Sequence, residues 1–284
     1  MKIKCMNNLP STNTLNSKKI TISAIIATFN GEKYMLELLE SIASQTHRVD
    51  EIVVCDDCSS DDTLNILQRF KLEYPDLNIK IFKNKHKLGI QKNFSKAIKL
   101  STGDLVFLAD QDDIWHNNKV QTILHAYINS NSSYIISDMN ILDMAEGIKK
   151  FTWAELMENN YGIAKSHVMN GCAVAATKKF FRSCLPIPPG KGHDVWFAYC
   201  AKRLKTRLFL DEPLMNYRIS SQGVSSYMFV DNLVISKNKT ELQIHNDLNT
   251  LIKSKNPLLF IKTKLFMHAY FTFVKIKFKL FMPL

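Results

Sequence analysis

The chain has 284 residues, 46% of them hydrophobic and 22% charged. That is enough to bury a sizeable core in one large domain, and it excludes a fibrous or wholly disordered protein. The formal net charge of +11 points to an anionic partner, whether nucleic acid, anionic lipid or a phosphorylated substrate, without choosing among them.

Residues 1–19 are rich in Lys, Asn and Ser and lack the apolar run of a signal peptide, so they read as a disordered leader. The apolar run Ile22-Ser23-Ala24-Ile25-Ile26-Ala27 within Thr21–Thr28 ends at Asn30-Gly31 and predicts a buried strand feeding a turn. Tyr34, Leu38 and Ile42 recur at helical spacing. Glu51–Cys55 is a second strand, and Ser59-Ser60-Asp61-Asp62 offers an N-cap and first-turn acids to a helix carrying Leu64, Leu67 and Phe70. Asn78–Lys83 is a third strand, Gln91–Leu100 a helix, and Leu105–Ala109 a fourth strand. This alternation predicts an α/β fold with a mostly parallel, Rossmann-like sheet flanked by helices. Ligands of such sheets bind beyond the C-terminal strand ends, which places Asn30, Asp56, Asp57 and Asp110 at the expected site. Further on, Tyr134–Ser137, Met169–Ala176 and Arg207–Leu210 read as strands, Asp194–Arg203 as a helix, and 139–168 as a long variable segment.

The six cysteines, Cys5, Cys55, Cys58, Cys172, Cys184 and Cys200, form no spaced framework. Cys55-Asp56-Asp57-Cys58 is formally C-x-x-C, but Cys55 ends a strand where a redox pair needs a helix N-terminus. Reduced, cytoplasmic thiols are the expectation. From Pro257 the chain carries lysines and aromatics and no acid. Such a basic, aromatic extension suits the anionic face of a membrane or packs on the domain as an amphipathic helix. No run reaches the roughly 20 apolar residues of a span.

The segment Asp110-Gln111-Asp112-Asp113-Ile114-Trp115 follows directly on a strand. Three carboxylates in four residues repel one another unless a cation or water relieves them. A hard divalent ion with oxygen ligands fits, as does a solvated acidic turn before a helix. Asp56-Asp57 can accept hydrogen bonds from a base or ribose, or can decorate a helix start. Asp194 sits near Gly192 at a helix start, where an acid needs no chemistry to be welcome.

Taken in order, Thr28-Phe29-Asn30-Gly31, Asp56-Asp57-Cys58-Ser59, Gly103-Asp104, Asp110-Gln111-Asp112-Asp113-Ile114-Trp115 and Gly192-His193-Asp194-Val195-Trp196 resemble the inverting family 2 glycosyltransferases of the GT-A fold, in their rhamnosyltransferase-like branch. The resemblance covers about 20–225, as a nucleotide-sugar half (20–113) and an acceptor half (114–225), with 226–284 as the extension. It implies that Thr28, Phe29 and Asn30 line the nucleotide pocket and that Asp57 meets the base edge. Asp110 and Asp112 would form the Asp-x-Asp pair for Mn²⁺ or Mg²⁺, and Arg218 would fork onto phosphate. Asp194 would be the general base, with Gly171, Cys172, His193 and Trp196 on the acceptor side. Relatives commonly carry His where this chain has Ser220, which leaves a second reading, a weakened or inactive nucleotide-sugar-binding relative.

The leading expectation is a glycosyltransferase of surface polysaccharide assembly. It would take a dTDP- or UDP-sugar, rhamnose being suggested by the branch alone, and a lipid-linked or polysaccharide acceptor at the inner membrane face. Nucleic acid is disfavoured as a partner, because the active edge of the sheet is acidic and repels a phosphate backbone.

Overall fold

The computed structural model describes residues 19–143, 147–161, 164–165, 170–188 and 191–219. The leader up to residue 18, Met169, Ser220 and the whole extension 226–284 lie outside the described residues.

The first half follows the expected alternation: β1 (Ile22–Thr28), α1 (Met35–Ala43), β2 (Glu51–Asp56), α2 (Thr63–Glu73), β3 (Ile79–Lys83), α3 (Ile90–Leu100) and β4 (Leu105–Asp110). After it come β5 (Ile114–Trp115), α4 (Lys119–Ile128), β6 (Tyr134–Asp143), β7 (Gly147–Thr152), α5 (Trp153–Tyr161), a 3-10 turn (Gly171–Ala173), β8 (Val174–Thr177), α6 (Lys178–Ser183), α7 (His193–Arg203) and β9 (Arg207–Ile219). Among the described residues the strands form one sheet in the order β3-β2-β1-β4-β8-β6-β9-β5, with β7 on β6 off that path. β1 pairs in parallel with β2 and β4, and β2 with β3. The two expected halves therefore share one sheet, joined where β4 meets β8.

β2 is buried along its whole length, and only Ala27 of β1 is partly open. That is why both strands read as continuous apolar runs and not as an alternation. α3 buries Phe94, Ala97 and Ile98 on one stripe and lies against β1 and β2. Burial of Phe94 or of Ile98 contributes about 1.5–3 kcal/mol, and that of the single Ala97 methyl less. Among the described residues no helix is long and apolar enough to cross a membrane.

Three readings of the sequence are corrected. The segment 139–168 is not simply variable: it holds the end of β6, all of β7 and α5. The strand expected over Met169–Ala176 begins at Val174, because Gly171–Ala173 form the 3-10 turn. The cap expected within 59–62 falls to Asp61, whose Oδ1 accepts the Thr63 N–H at 3.2 Å, but the expected first-turn acids are absent from α2. Asp62 precedes α2 without a side-chain cap bond, and Ser59 Oγ instead accepts the Asn30 N–H at 2.9 Å.

Register decides what shares an edge. Thr28 pairs with Asp56 and Ala27 with Asp110, so the three chain segments leave the sheet side by side. β8 runs antiparallel to β4, with Leu105 opposite Thr177 and Phe107 opposite Ala175. The start of β8, and the 3-10 turn before it, therefore lie beside the end of β4.

Candidate active site

The turn after β1 is fastened to the acidic segment after β4 by Gln111. Its Oε1 accepts from Thr28 Oγ1 (2.7 Å) and from the Phe29 N–H (3.0 Å), and its Nε2 donates to the Phe29 carbonyl (3.2 Å). A Cβ at Gly31 would lie 2.7 Å from that same Oε1 and 2.9 Å from Thr28 Oγ1, so the clasp requires glycine there. Asn30 adopts φ 50°, a left-handed conformation that Asn tolerates, and its Oδ1 accepts the Ser60 N–H at 2.9 Å. Phe29 stays partly exposed with Lys87 Nζ 3.9 Å from its ring centroid. Sequence reasoning named Thr28, Phe29 and Asn30 but missed Gln111. Its signal was one amide set among three acids, able to donate and accept where they only accept.

Asp56 and Asp57 part company at the end of β2. Asp57 accepts from Leu88 N (2.7 Å), Gly89 N (2.8 Å) and Asn84 Nδ2 (2.7 Å). Burial works to raise its carboxyl, but these donors and the nearby Lys87 outweigh it and hold the group below the usual carboxylate range. The carboxylate expected at a base edge is thus engaged in pinning the loop 84–89. Asp56 accepts the Ser59 N–H through Oδ2 at 3.1 Å. Its buried Oδ1 has no hydrogen-bond partner among the described residues. Cys58 Sγ donates to the Asn84 carbonyl. Cys55 is buried and free, and burial pushes its thiol up to about 11, opposite to the lowered thiol of a reactive cysteine.

The acids after β4 gather in low dielectric. Asp113 is almost fully buried; its Oδ2 accepts the Asp110 N–H at 2.9 Å, and its buried Oδ1 has no hydrogen-bond partner among the described residues. Burial, then the neighbouring charges of Asp112 and Asp194, push Asp110 up to about 7. Burial, then Asp110 and Asp112, push Asp113 well above the ordinary range. Asp112 is raised by burial, partly relieved by its own backbone and by Arg218. Carboxylate oxygens of Asp110 and Asp113 and the Cys172 Sγ lie within 4.8 Å of one another. Burial holds the Cys172 thiol protonated, well above its ordinary pKa, so the anionic donors are the carboxylates. Crowded acids with an orphaned oxygen fit a hard divalent ion.

Two cations flank the cluster. Lys119, the first residue of α4, is wholly buried, and burial lowers its ammonium to about 8 against the pull of Asp113 and Asp110. Arg218 reaches the acids because β5 and β9 run antiparallel with Ile114 opposite Asn216. Continuing that ladder brings Arg218 Nε 2.9 Å from the Asp112 carbonyl. The guanidinium also pairs with Glu37 and lies 4.6 Å from the Tyr34 ring centroid. Sequence reasoning found Arg218 and missed Lys119 and Glu37.

The acceptor-side residues divide. Gly171 and Cys172 sit in the buried 3-10 turn. A Cβ at Gly171 would lie 2.5 Å from His193 Nε2. His193 stacks on Phe94 at 4.3 Å, and burial lowers its pKa, so the ring stays neutral. Asp194, in the first turn of α7, is half-buried and accepts the Val195 N–H through Oδ1 at 2.8 Å. Its charge is felt at Asp110. Trp196 is not brought to this group: it is 1% exposed, donates Nε1–H to the Cys184 carbonyl and stacks on Tyr199. Two residues beyond Asp194, a rotation of about 200° puts it on the core side of α7.

Known proteins resemble this chain in sequence and in fold. The profile of Glycosyl transferase family 2 matches residues 23–172. The dTDP-rhamnosyl transferase RfbG of Shigella flexneri is 33% identical over 216 residues, 68% of this chain and 71% of that protein. An Escherichia coli protein, UDP-Glc:alpha-D-GlcNAc-diphosphoundecaprenol beta-1,3-glucosyltransferase WfgD, is 25% identical over 211 residues, 73% of this chain and 81% of its own. Staphylococcus aureus TarS 1-349, solved with UDP-GlcNAc, matches in fold with a TM-score of 0.60 at 22% identity. The match covers 73% of this chain and 61% of that one, so the chain spans about three fifths of that structure. The mannosyltransferase PcManGT of Pyrobaculum calidifontis, solved with GDP-Man and Mn²⁺, matches with a TM-score of 0.61 at 14% identity over 92% of this chain and 87% of that one. The expected GT-A architecture is thus the observed one, and the chain belongs to glycosyl transferase family 2 as a glycosyltransferase.

Proposed function

We propose that this glycosyltransferase is inverting and metal-dependent, and that it moves a sugar from a nucleotide-diphosphate donor to an acceptor hydroxyl in cell-surface polysaccharide assembly. The observation that carries the reading is the gathering of Asp110 and Asp113 with Cys172 within 4.8 Å, beside Gly171, where a Cβ would meet His193, the chain neighbour of Asp194. Asp110 and Asp112 would hold Mn²⁺ or Mg²⁺. That ion, when bound, stabilises the charge gained by the departing diphosphate. The Gln111 clasp keeps Thr28, Phe29 and Asn30 in place under the nucleotide, and Asp57 fixes the loop 84–89 beside the base. Arg218, held at the Asp112 carbonyl, would be a donor to phosphate.

Asp194 takes the proton of the attacking hydroxyl. Its Oδ1 is occupied by the Val195 N–H, which leaves Oδ2 as the accepting atom. Direct attack opposite the leaving group gives inversion. Gly171 and Cys172, in the 3-10 turn that leads into β8, would border the acceptor.

Rhamnose is the favoured sugar because RfbG carries that name among the relatives. A lipid-linked acceptor is supported by the diphosphoundecaprenol in the name of WfgD. The basic, aromatic extension from Pro257 supports contact with an anionic membrane surface. The test is release of nucleoside diphosphate from a panel of dTDP- and UDP-sugars with Mn²⁺ or Mg²⁺ and membrane extract as acceptor, for wild type and Asp112→Ala. Metal-dependent release from one donor, lost in the variant, is expected. Nucleotide binding without release from any donor would favour the second reading, a binding relative weakened at Ser220, and Ser220→His would then be expected to restore turnover.

A further inference from the structure

The mechanism above leaves one charged group unused. Lys119 is 0% exposed, and it stands at the N-terminus of α4, where the helix dipole disfavours a cation. A buried ammonium in that position needs compensation. Its Nζ donates to the Cys172 carbonyl at 3.1 Å, meets Met215 Sδ at 3.1 Å and lies 4.4 Å from the Trp115 ring centroid. No carboxylate closes a salt bridge on it among the described residues, yet Asp113 and Asp110 are the acids whose charge it feels. It thereby ties three separate pieces together: Trp115 at the end of the acidic segment, the turn at Cys172, and β9 through Met215.

We propose that Lys119 is a positioning residue, a resident internal cation that holds the acidic loop against the Gly171–Cys172 turn and sets how tightly that loop takes a divalent ion. Counting the loop's own acids alone, with Arg218 already paired with Glu37, ionised Asp110, Asp112 and Asp113 carry three negative charges; Lys119 offsets one, and a single dication neutralises the remaining two. Removing Lys119 leaves one negative charge uncompensated when the ion is bound. The loop without its lysine is therefore a stronger dication site and a poorer structure when empty. Lys119 fixes the loop when no ion is present and keeps the ion exchangeable. The inference rests on the metal reading of Asp110 and Asp112.

The experiment is Mn²⁺ titration of the purified full chain with UDP present, read by loss of the free-ion EPR signal. It is run on wild type, Lys119→Met, Asp113→Asn, the double variant and Asp112→Asn, with melting temperatures in EDTA. Lys119→Met is expected to tighten Mn²⁺ about tenfold and to melt lower in EDTA, with the gap narrowing on Mn²⁺ addition. Asp113→Asn should loosen Mn²⁺ by a similar factor, and the double variant should return to within about threefold of wild type. Lys119→Arg, which keeps the charge, should stay near wild type. Should Lys119→Met not fold, the double variant decides, since replacing both buried charges is far better tolerated than removing one. A double variant that binds Mn²⁺ no better than Asp113→Asn alone overturns the proposal. So does a folded Lys119→Met whose affinity stays within twofold of wild type while Asp112→Asn has lost the ion; that result leaves the metal reading intact. Absence of Mn²⁺ binding by the wild type overturns both.

Discussion

Asp57→Ala separates two jobs for one carboxylate. In the structure its oxygens take the Leu88 and Gly89 N–H groups and the Asn84 amide, all at 2.7–2.8 Å. Hydrogen bonds to a charged group each contribute about 1.5–3 kcal/mol. Leu88 and Gly89 lie on a loop open enough for water to replace part of that, whereas Asn84 is 5% exposed and would lose one of its partners in the interior. The expected loss is therefore about 3 kcal/mol in total, well below the sum of three such bonds. For a domain of this size that is a fall in melting temperature of about 6–12 °C. The pH dependence has a definite sign. The folded carboxyl is held below its ordinary value, so its contribution is present above the unfolded pKa of about 4 and is lost as pH falls through the folded one. Urea denaturation at pH 7 and at acid pH, with UDP and dTDP titrations alongside, measures both. The variant should lose stability and nucleotide affinity together, and its stability deficit should shrink at acid pH. Lost nucleotide affinity with an unchanged denaturation midpoint would refute the anchoring argument and return Asp57 to a purely base-reading role.

Asp194→Asn should bind donor as wild type does and lose about 10²–10⁴ in kcat, measured by diphosphate release; a kcat within threefold of wild type would remove Asp194 from the mechanism. Gly171→Ala forces a methyl to within 2.5 Å of His193 Nε2, a ring that its stack on Phe94 prevents from swinging away. A cost of about 1–3 kcal/mol is expected, together with reduced kcat as the start of α7 is pushed aside, and an unchanged melting temperature would show that His193 has room to move. Glu51, 2% exposed, accepts from Lys80, Ser23 Oγ and the Thr102 N–H. Burial raises its carboxyl, but these partners outweigh it and hold it at about 2 against an ordinary value of 4.5. Its contribution of about 3 kcal/mol should be full above that ordinary value and vanish as pH approaches 2, while Glu51→Gln should lose most of it at pH 7 and show a flatter acid limb in urea titrations.

The sequence by itself determined the alternating first half, because each buried parallel strand must be a continuous apolar run and each covering helix must show a stripe. It also set the acids at the strand ends: Asp56, Asp57 and Asp110 close runs of apolar residues, and only the C-terminal edge of a parallel sheet has room for them. Ordered motifs carried the family and pointed to Asp194. It left undecided what those acids touch. Asp57 and Asp56 look alike in sequence, yet one is saturated by a loop some 30 residues away and the other keeps a bare oxygen. Trp196 sits two residues from Asp194 and faces the core, because a helix turns consecutive side chains by about 100°. Nothing in the local sequence sets Lys119 apart, and its burial depends on Cys172 and Met215, which lie 53 and 96 residues further on. Local periodicity shows which face of an element is buried. Which residue meets which across the sheet follows from strand order and register, and those emerge only when β8 runs back along β4 and β9 carries Arg218 to the acids.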